Sequence, residues 1–277
     1  MNITHGSLFS GIGGFDIAAE WCGFENLFQV EIDGFCNKLL EKNFPETKRY
    51  KDIKDFNANK YEGKLDIISG GFPCQPFSHA GRKRGKEDDR YLWDEMFRVV
   101  QESKPEWVIA ENVYGLISMQ GGMVLEKVLT DLESEGFEVQ TFIIPACSKN
   151  APHRRDRAWI IANSESNRNR REQERKRGEG HERDKSRRQG MGNKSNNGAQ
   201  TLAPASWERD WLEVASELCR TDDGLSNRVD RIKALGNAIV PQVAYEFFTS
   251  IIEVMLKRNP EFRVSELERL EYSYDNI

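Results

Sequence analysis

A chain of 277 residues is long enough for one large domain or two modest ones, at roughly 100–200 residues each, and buries a sizeable core without disulfide staples. With 38% hydrophobic, 10% aromatic and 31% charged residues it is polar, yet too rich in aromatics for wholesale disorder. A net charge of −5 speaks against nucleic-acid binding over the whole surface. No apolar run approaches the ~18 residues of a membrane span, and MNITHGSLFS has neither the basic nor the apolar part of a secretion signal. A cytoplasmic setting without membrane contact is expected.

The charge is unevenly spread. The stretch Asn163–Gln200 holds 11 Lys/Arg against 6 Asp/Glu, so it is +5 and the rest of the chain is −10. Five cysteines (Cys22, Cys36, Cys74, Cys147, Cys219) are an odd, scattered set with no C-x-x-C pair. That pattern predicts neither a disulfide framework nor a metal site, and suits a reducing interior.

In chain order, Ile3–Phe9 reads as a strand, followed by a glycine turn and a helix over Phe15–Cys22. Leu27–Ile32 and Phe35–Phe44 repeat the strand–helix pair. Leu65–Gly70 is a short apolar run suited to a buried parallel strand. Tyr91–Ser103 is helical, Trp107–Asn112 a buried strand, and Met123–Glu135 an amphipathic helix stopped by Gly136. Phe137–Ile144 and Ala158–Ala162 are two further strands. Repeated β-α units predict a doubly wound, mostly parallel sheet with its ligand at the strands' carboxyl ends. Residues 1–162 form the predicted catalytic and cofactor domain. Residues 163–200 contain almost nothing apolar and are expected to be disordered or loosely attached. Residues 201–225 hold Trp207 and Trp211, in an expected helix over Ser206–Leu218. Residues 226–277 are expected to be helices that complete the first domain: Ser226–Leu235, Pro241–Leu256 with proline in its first turn, and a charged tail from Arg263.

Six places along the chain carry the chemistry. The first strand runs into Phe9-Ser10-Gly11-Ile12-Gly13-Gly14-Phe15-Asp16, a turn that lets a ligand approach the backbone. It is not the G-x-G-x-x-G fingerprint, because Asp16 takes the place of the third glycine; an acid facing a pyrophosphate is unfavourable, so a nucleoside ligand without phosphates fits better. Glu31, at the end of the second strand, is placed to accept ribose hydroxyls. Asp52 suits an adenine amino group, with Ile53 packing on the ring. The fourth strand leads into Gly70-Gly71-Phe72-Pro73-Cys74-Gln75-Pro76-Phe77-Ser78, where two prolines hold one thiol rigidly at the sheet edge. A packed thiol and a nucleophile fit that segment equally well. Glu111 ends the fifth strand, either capping a turn or, desolvated beside Trp107 and Val108, protonated and donating. In His153-Arg154-Arg155-Asp156-Arg157, the alternating Arg155 and Arg157 share one face, as a charged strand edge or as a clamp for anionic groups.

Taken in order, FSGIGG (9–14), Glu31, GGFPCQPFS (70–78), ENV (111–113), HRRDR (153–157) and ALGNAIVP (234–241) resemble the C5-specific DNA cytosine methyltransferase family, of the small prokaryotic or phage type. The resemblance implies an α/β, Rossmann-like S-adenosyl-methionine-dependent methyltransferase fold, with a reduced target-recognition segment. It implies S-adenosyl-methionine as methyl donor, contacted by Phe9, Gly11, Ile12, Gly14, Glu31, Ile32, Asp52, Ile53, Pro73 and Asn237. It makes Cys74 the nucleophile and Glu111 the group engaging cytosine N3, with Arg155 and Arg157 orienting the base. His79–Arg90 resembles the loop that closes over DNA, and Gln75, Ser78, Arg82, Lys83 and Arg84 become candidate DNA contacts. His153 stands where the family usually has glutamine.

The implied partner is double-stranded DNA, with a restriction endonuclease as a functional companion and the protein itself a monomer. Alternatives are an RNA cytosine methyltransferase and a catalytically idle DNA-binding relative. A nicotinamide dehydrogenase is disfavoured by Asp16 and leaves Cys74 unexplained.

Overall fold

A strand covered on both faces must be apolar on both, and the short runs read above meet that demand. Ile67 and Ile68 are neighbours yet belong to opposite cores, as do Val108 and Ile109. The computed structural model describes residues 3–73, 92–149, 155–170, 173 and 237–258. Its strands are β1 (Thr4–Leu8), β2 (Glu25–Val30), β3 (Lys48–Tyr50), β4 (Ile67–Gly70), β5 (Trp107–Val113), β6 (Glu138–Pro145) and β7 (Asp156–Asn163). They form one sheet in the order β3-β2-β1-β4-β5-β7-β6. β1 to β5 run parallel, and β7 lies antiparallel between β5 and β6. The expected α/β, doubly wound, mostly parallel sheet is the one found.

The helices are α1 (Gly14–Trp21), α2 (Gly34–Asn43), α3 (Trp93–Ser103), α4 (Met123–Ser134) and α5 (Pro241–Arg258). Asp33 starts α2 by accepting the backbone N–H groups of Phe35 (2.8 Å) and Cys36 (3.1 Å). α3 buries Trp93, Met96, Val99, Val100 and Ser103, the spacing of one helical face. α4 stops where expected, with Gly136 left-handed at φ 79°.

α3 and α4 cover one face of the sheet, closing a core of Leu8, Phe28, Ile68, Met96, Val108 and Leu132. α1 and α5 cover the other. There Phe248 is fully buried, 5.2 Å from the Phe24 ring and 5.4 Å from the His5 ring. α5 thus packs with α1 on the same sheet as the N-terminal strands. Burying each such aromatic is worth about 1.5–3 kcal/mol.

The packed chain runs past the boundary set at 162. Residues 165–170 are helical, and Ser164 and Asn167 are buried. The Ser164 N–H donates to Glu106 O (2.9 Å) and the Asn167 amide to Pro105 O (3.1 Å). Composition hid this, because polar side chains here bond to backbone instead of packing. The three-residue β3 was not anticipated either. The helices expected at 206–218 and 226–235, the tail from 263 and the 79–90 loop lie outside the described residues. Among the described residues no helix is long and apolar enough to cross a membrane.

Candidate active site

The chain leaves β1 toward β2 and β3 on one side, then returns to β4 and β5 on the other. The loops after β1 and β4 therefore part, opening a crevice at the strands' carboxyl edge. One wall is the loop from Phe9 to Gly13, in which Phe9 (φ 52°), Gly11 (φ 55°) and Gly13 (φ 88°) are all left-handed. Phe9, Gly11 and Ile12 are half-buried there. Beside them lies Glu31, only 9% exposed. One Glu31 oxygen accepts the Gly11 N–H and the other the Asp33 N–H, each at 2.7 Å. Burial raises the Glu31 pKa, and these backbone bonds pull it back down.

This geometry revises the reason for excluding phosphate. Asp16 does not face the crevice; it is fully buried beneath the loop, with its carboxyl bonded by the Ser7 hydroxyl. The Glu31 carboxylate occupies the loop amide that a phosphate would take, and this disfavours an anion. The carboxylate has acceptor capacity left beyond these backbone bonds. Next to it Ile32 is 65% exposed, an apolar side chain open to a ring. Asp52 is half-exposed, one oxygen accepting the Lys54 N–H (2.9 Å). The Ile53 side chain is 4% exposed and packs in the core beneath.

Asn237 is exposed and arrives just before α5. The following segment reaches the glycine loop: a Cβ on Gly14 would stand 2.6 Å from Ile239 Cγ1, so only glycine lets the two approach. Sequence reading did not identify Ile239 as that contact, since the partner lies 225 positions away.

The other wall is built around Glu111. This carboxyl is 7% exposed at the end of β5, and Arg157 Nε is 2.6 Å from its Oε1. Register explains the meeting. Glu111 pairs with Trp159 and Val113 with Arg157, so the two side chains are diagonal neighbours on one face. Arg155, with φ 29°, lies in the same small cleft, which Trp159 and residues 238–240 also line. Burial pushes the Glu111 carboxyl up to about 7, against the pull of Arg157 and then Arg155. Burial, and then Arg157, lowers the Arg155 pKa, while Glu111 raises it. A carboxyl poised near neutrality between two guanidinium groups can hold a proton or release one.

Gly71 and Asn112 join this wall to the β4 loop. A Cβ on Gly71 would lie 3.1 Å from Glu111 Oε2. The buried Asn112 amide donates to Phe72 O at 3.0 Å. Pro73 is half-buried. Cys74, Gln75, Ser78, Arg82, Lys83, Arg84 and His153 lie outside the described residues.

The carboxyl edge of a doubly wound sheet with a reversed seventh strand thus carries a glycine loop beside an acid and a buried glutamate beside two arginines. Residues 3–210 match the model of the C-5 cytosine-specific DNA methylase family, and the chain belongs to that family. It is 37% identical over 160 residues to the type II methyltransferase M.Eco47II of Escherichia coli, covering 56% of this chain and 38% of that one. To the type II methyltransferase M.AquIA of a Picosynechococcus strain it is 33% identical over 174 residues, covering 57% and 70%. The fold is similar to that of a Spodoptera frugiperda DNMT2 variant, with a TM-score of 0.50, 24% identity, and coverage of 59% of this chain and 50% of the other. The matched part of this chain spans between 38% and 47% of the length of the first curated relatives.

Proposed function

We propose that the chain methylates C5 of cytosine in double-stranded DNA, with S-adenosyl-methionine as donor. The observation that carries the reading is the Glu111 site: a buried carboxyl held near neutrality, 2.6 Å from Arg157 and packed against the loop that leads into Cys74.

The residues present suit the donor. Glu31 would accept the ribose hydroxyls, Ile32 would pack on the adenine, and Asp52 would receive its amino group. Phe9, Gly11, Ile12, Gly14, Pro73 and Asn237 would line the rest. When bound, the donor supplies an electrophilic methyl group on a sulfonium, which departs as a neutral thioether.

Cytosine C5 is too electron-poor to take that methyl unaided. The base first leaves the stack, at a cost of a few kcal/mol. The Cys74 thiolate then adds to C6, and the C5=C6 electron pair shifts toward C5 and N3. Protonated Glu111 donates to N3 and neutralises the charge, a contribution of ~10²–10⁴-fold. Arg157 and Arg155 hold that carboxyl and orient the base. C5 takes the methyl group, then loses its proton to solvent; as the C6–S bond breaks, N3 returns its proton to Glu111, which restores the thiolate, the carboxyl and the ring. Gln75, Ser78, Arg82, Lys83 and Arg84 follow Cys74 closely and would contact the DNA.

The test uses radiolabelled donor with duplex DNA, with tRNA and with neither, and a 5-fluorocytosine duplex as a trap. Label in DNA alone, a covalent protein–DNA adduct, and loss of both in Cys74→Ser are expected. Robust labelling by Cys74→Ser sinks the mechanism.

A further inference from the structure

The crevice lies at the carboxyl edge of the sheet, and a second recess lies at the opposite edge. It is a groove of about 480 Å³ lined by Thr4, Leu27, Lys48, Lys60, Tyr61 and Lys64. Thr4 opens β1, Lys48 opens β3 and Lys64 shortly precedes β4, so the groove sits where these parallel strands begin. The length of β1, roughly 17 Å, separates it from the Phe9–Gly13 loop.

The groove is cationic. Lys48, Lys60 and Lys64 are exposed, and among the described residues none of the three forms an ion pair with a carboxylate. The Lys60 ammonium is 4.1 Å and the Lys48 ammonium 5.7 Å from the centre of the Tyr50 ring. The two cations therefore stand closer together than the Debye length of about 10 Å at 0.1 M salt. A ring face attracts an ammonium group but does not cancel its charge. Two acids close by are engaged elsewhere. Glu62 bonds to Lys104 (2.8 Å) and Arg170 (2.9 Å), and Asp66 accepts the Thr4 N–H (2.8 Å). Like charges gathered in one groove repel, and an anion placed among them relieves that repulsion.

The basic stretch of the sequence starts at this same edge. Ser164 and Asn167 fasten the helical turn 165–170 to the backbone just before β5, and Arg170 reaches Glu62, which lies between Lys60 and Lys64 in the chain. Asn163–Gln200 carries 11 Lys/Arg against 6 Asp/Glu, in a chain that is −10 elsewhere. Two cationic features far apart in sequence thus meet at one edge. Closely spaced anionic charge suits them, and a duplex presents one phosphate charge per about 1.7 Å of its axis. We propose that the groove of Lys48, Lys60 and Lys64 is a second DNA site, which holds the phosphate backbone of a duplex segment outside the crevice without reading its sequence. A flexible ammonium group on a phosphate positions the duplex and carries no base information. The choice of DNA as ligand rests on the reading above; the position and charge of the groove do not.

The test follows the anisotropy of a labelled duplex of A·T pairs alone, which offers the crevice no cytosine, with the full chain between about 50 and 200 mM salt. A variant carrying Lys48→Gln, Lys60→Gln and Lys64→Gln is compared with a control carrying Lys38→Gln, Lys42→Gln and Lys257→Gln. The control loses the same charge from exposed positions on α2 and α5. Each phosphate contact adds about 0.9 to the slope of log affinity against log salt, so the groove variant should have a slope shallower by about 2–3 and bind at least about tenfold more weakly at low salt. The control should keep the unaltered slope to within about 1. Single-turnover methylation of a saturating, cytosine-bearing duplex should be unchanged in both, and a groove variant slowed there overturns a separate site. Equal losses of slope in the two variants reduce the effect to net charge and overturn the proposal. Displacement of the duplex by millimolar inorganic phosphate at constant ionic strength, or a loss confined to tRNA, assigns the groove to another ligand and overturns it too. An unaltered chain that fails to methylate, with slopes that differ as expected, sinks the methylation reading and leaves this site standing.

Discussion

Glu111 and Arg157 meet at 2.6 Å because β7 runs against β5. The carboxyl edge of a parallel sheet gathers the residues that follow each strand. An antiparallel neighbour brings to that same edge the residues with which it begins. Arg155 immediately precedes β7 and Arg157 is its second residue, so this reversal places both guanidinium groups beside an acid at the end of β5. Trp159, opposite Glu111 in the register, is itself buried, and burial keeps the acid's pKa high despite two cations.

Glu111→Gln should lower the rate of methyl transfer at pH 7 by about 10²-fold or more, the scale of a lost general acid. The sign of the pH effect follows from a carboxyl raised to about 7. Its protonated fraction falls as pH rises through that value, so the unaltered rate should decline on the alkaline side. The variant cannot titrate there and should lose that limb. Single-turnover rates from pH 6 to 9 check both points, and an unchanged alkaline limb in the variant excludes Glu111 as the acid.

Gly71→Ala tests the join between the two halves of the site. The added Cβ would stand 3.1 Å from Glu111 Oε2, close enough that the carboxyl must shift by a few tenths of an ångström. Misplacement on that scale weakens catalysis far more than packing. Activity should fall at least about tenfold while the melting temperature moves by less than about 4 °C, the shift expected from under 1 kcal/mol in a chain of this size. A large loss of stability with full residual activity would show that Gly71 serves the core alone.

The sheet was legible because a buried parallel strand needs a short run of apolar residues, and Ile67–Gly70 and Trp107–Val113 each supply one. β3 was not, since Lys-Arg-Tyr at a sheet edge has no such run. Glu31 and Glu111 were legible from their places at strand ends. The inward turn of Asp16 was not, because it depends on Ser7 and Ser10, whose hydroxyls look like ordinary turn residues until the fold stacks them under α1. The same holds for Asn167, whose amide meets a carbonyl 62 positions away. Ile53 reads as a ring contact after Asp52, yet its side chain packs in the core with Phe28 and Phe56.

Glu31→Ala should weaken donor binding by about tenfold or more while DNA binding stays within about twofold. The carboxylate holds two backbone N–H groups of the crevice wall, and its removal frees both Gly11 and Asp33. A hydrogen bond to a charged group is worth about 1.5–3 kcal/mol, enough for such a change. Calorimetry with the donor product and a gel-shift series with duplex DNA separate the two affinities. Equal losses in both would mean that Glu31 supports the fold and not the ribose.

Phe248→Ala should cost about 3–5 kcal/mol, since the ring is fully buried and its removal leaves a cavity. The consequence reaches the site through α5. That helix follows residues 237–240, and Ile239 packs directly on Gly14. Loosening α5 therefore slackens the segment that closes the donor loop from the C-terminal side. Phe248→Leu keeps most of the volume and should cost less than about 1.5 kcal/mol. Denaturant melts measure both losses, and donor titrations under folded conditions should show weaker binding for the alanine variant than for the leucine one. If both bind the donor as the unaltered chain does, the C-terminal helix stabilises the sheet without shaping the crevice.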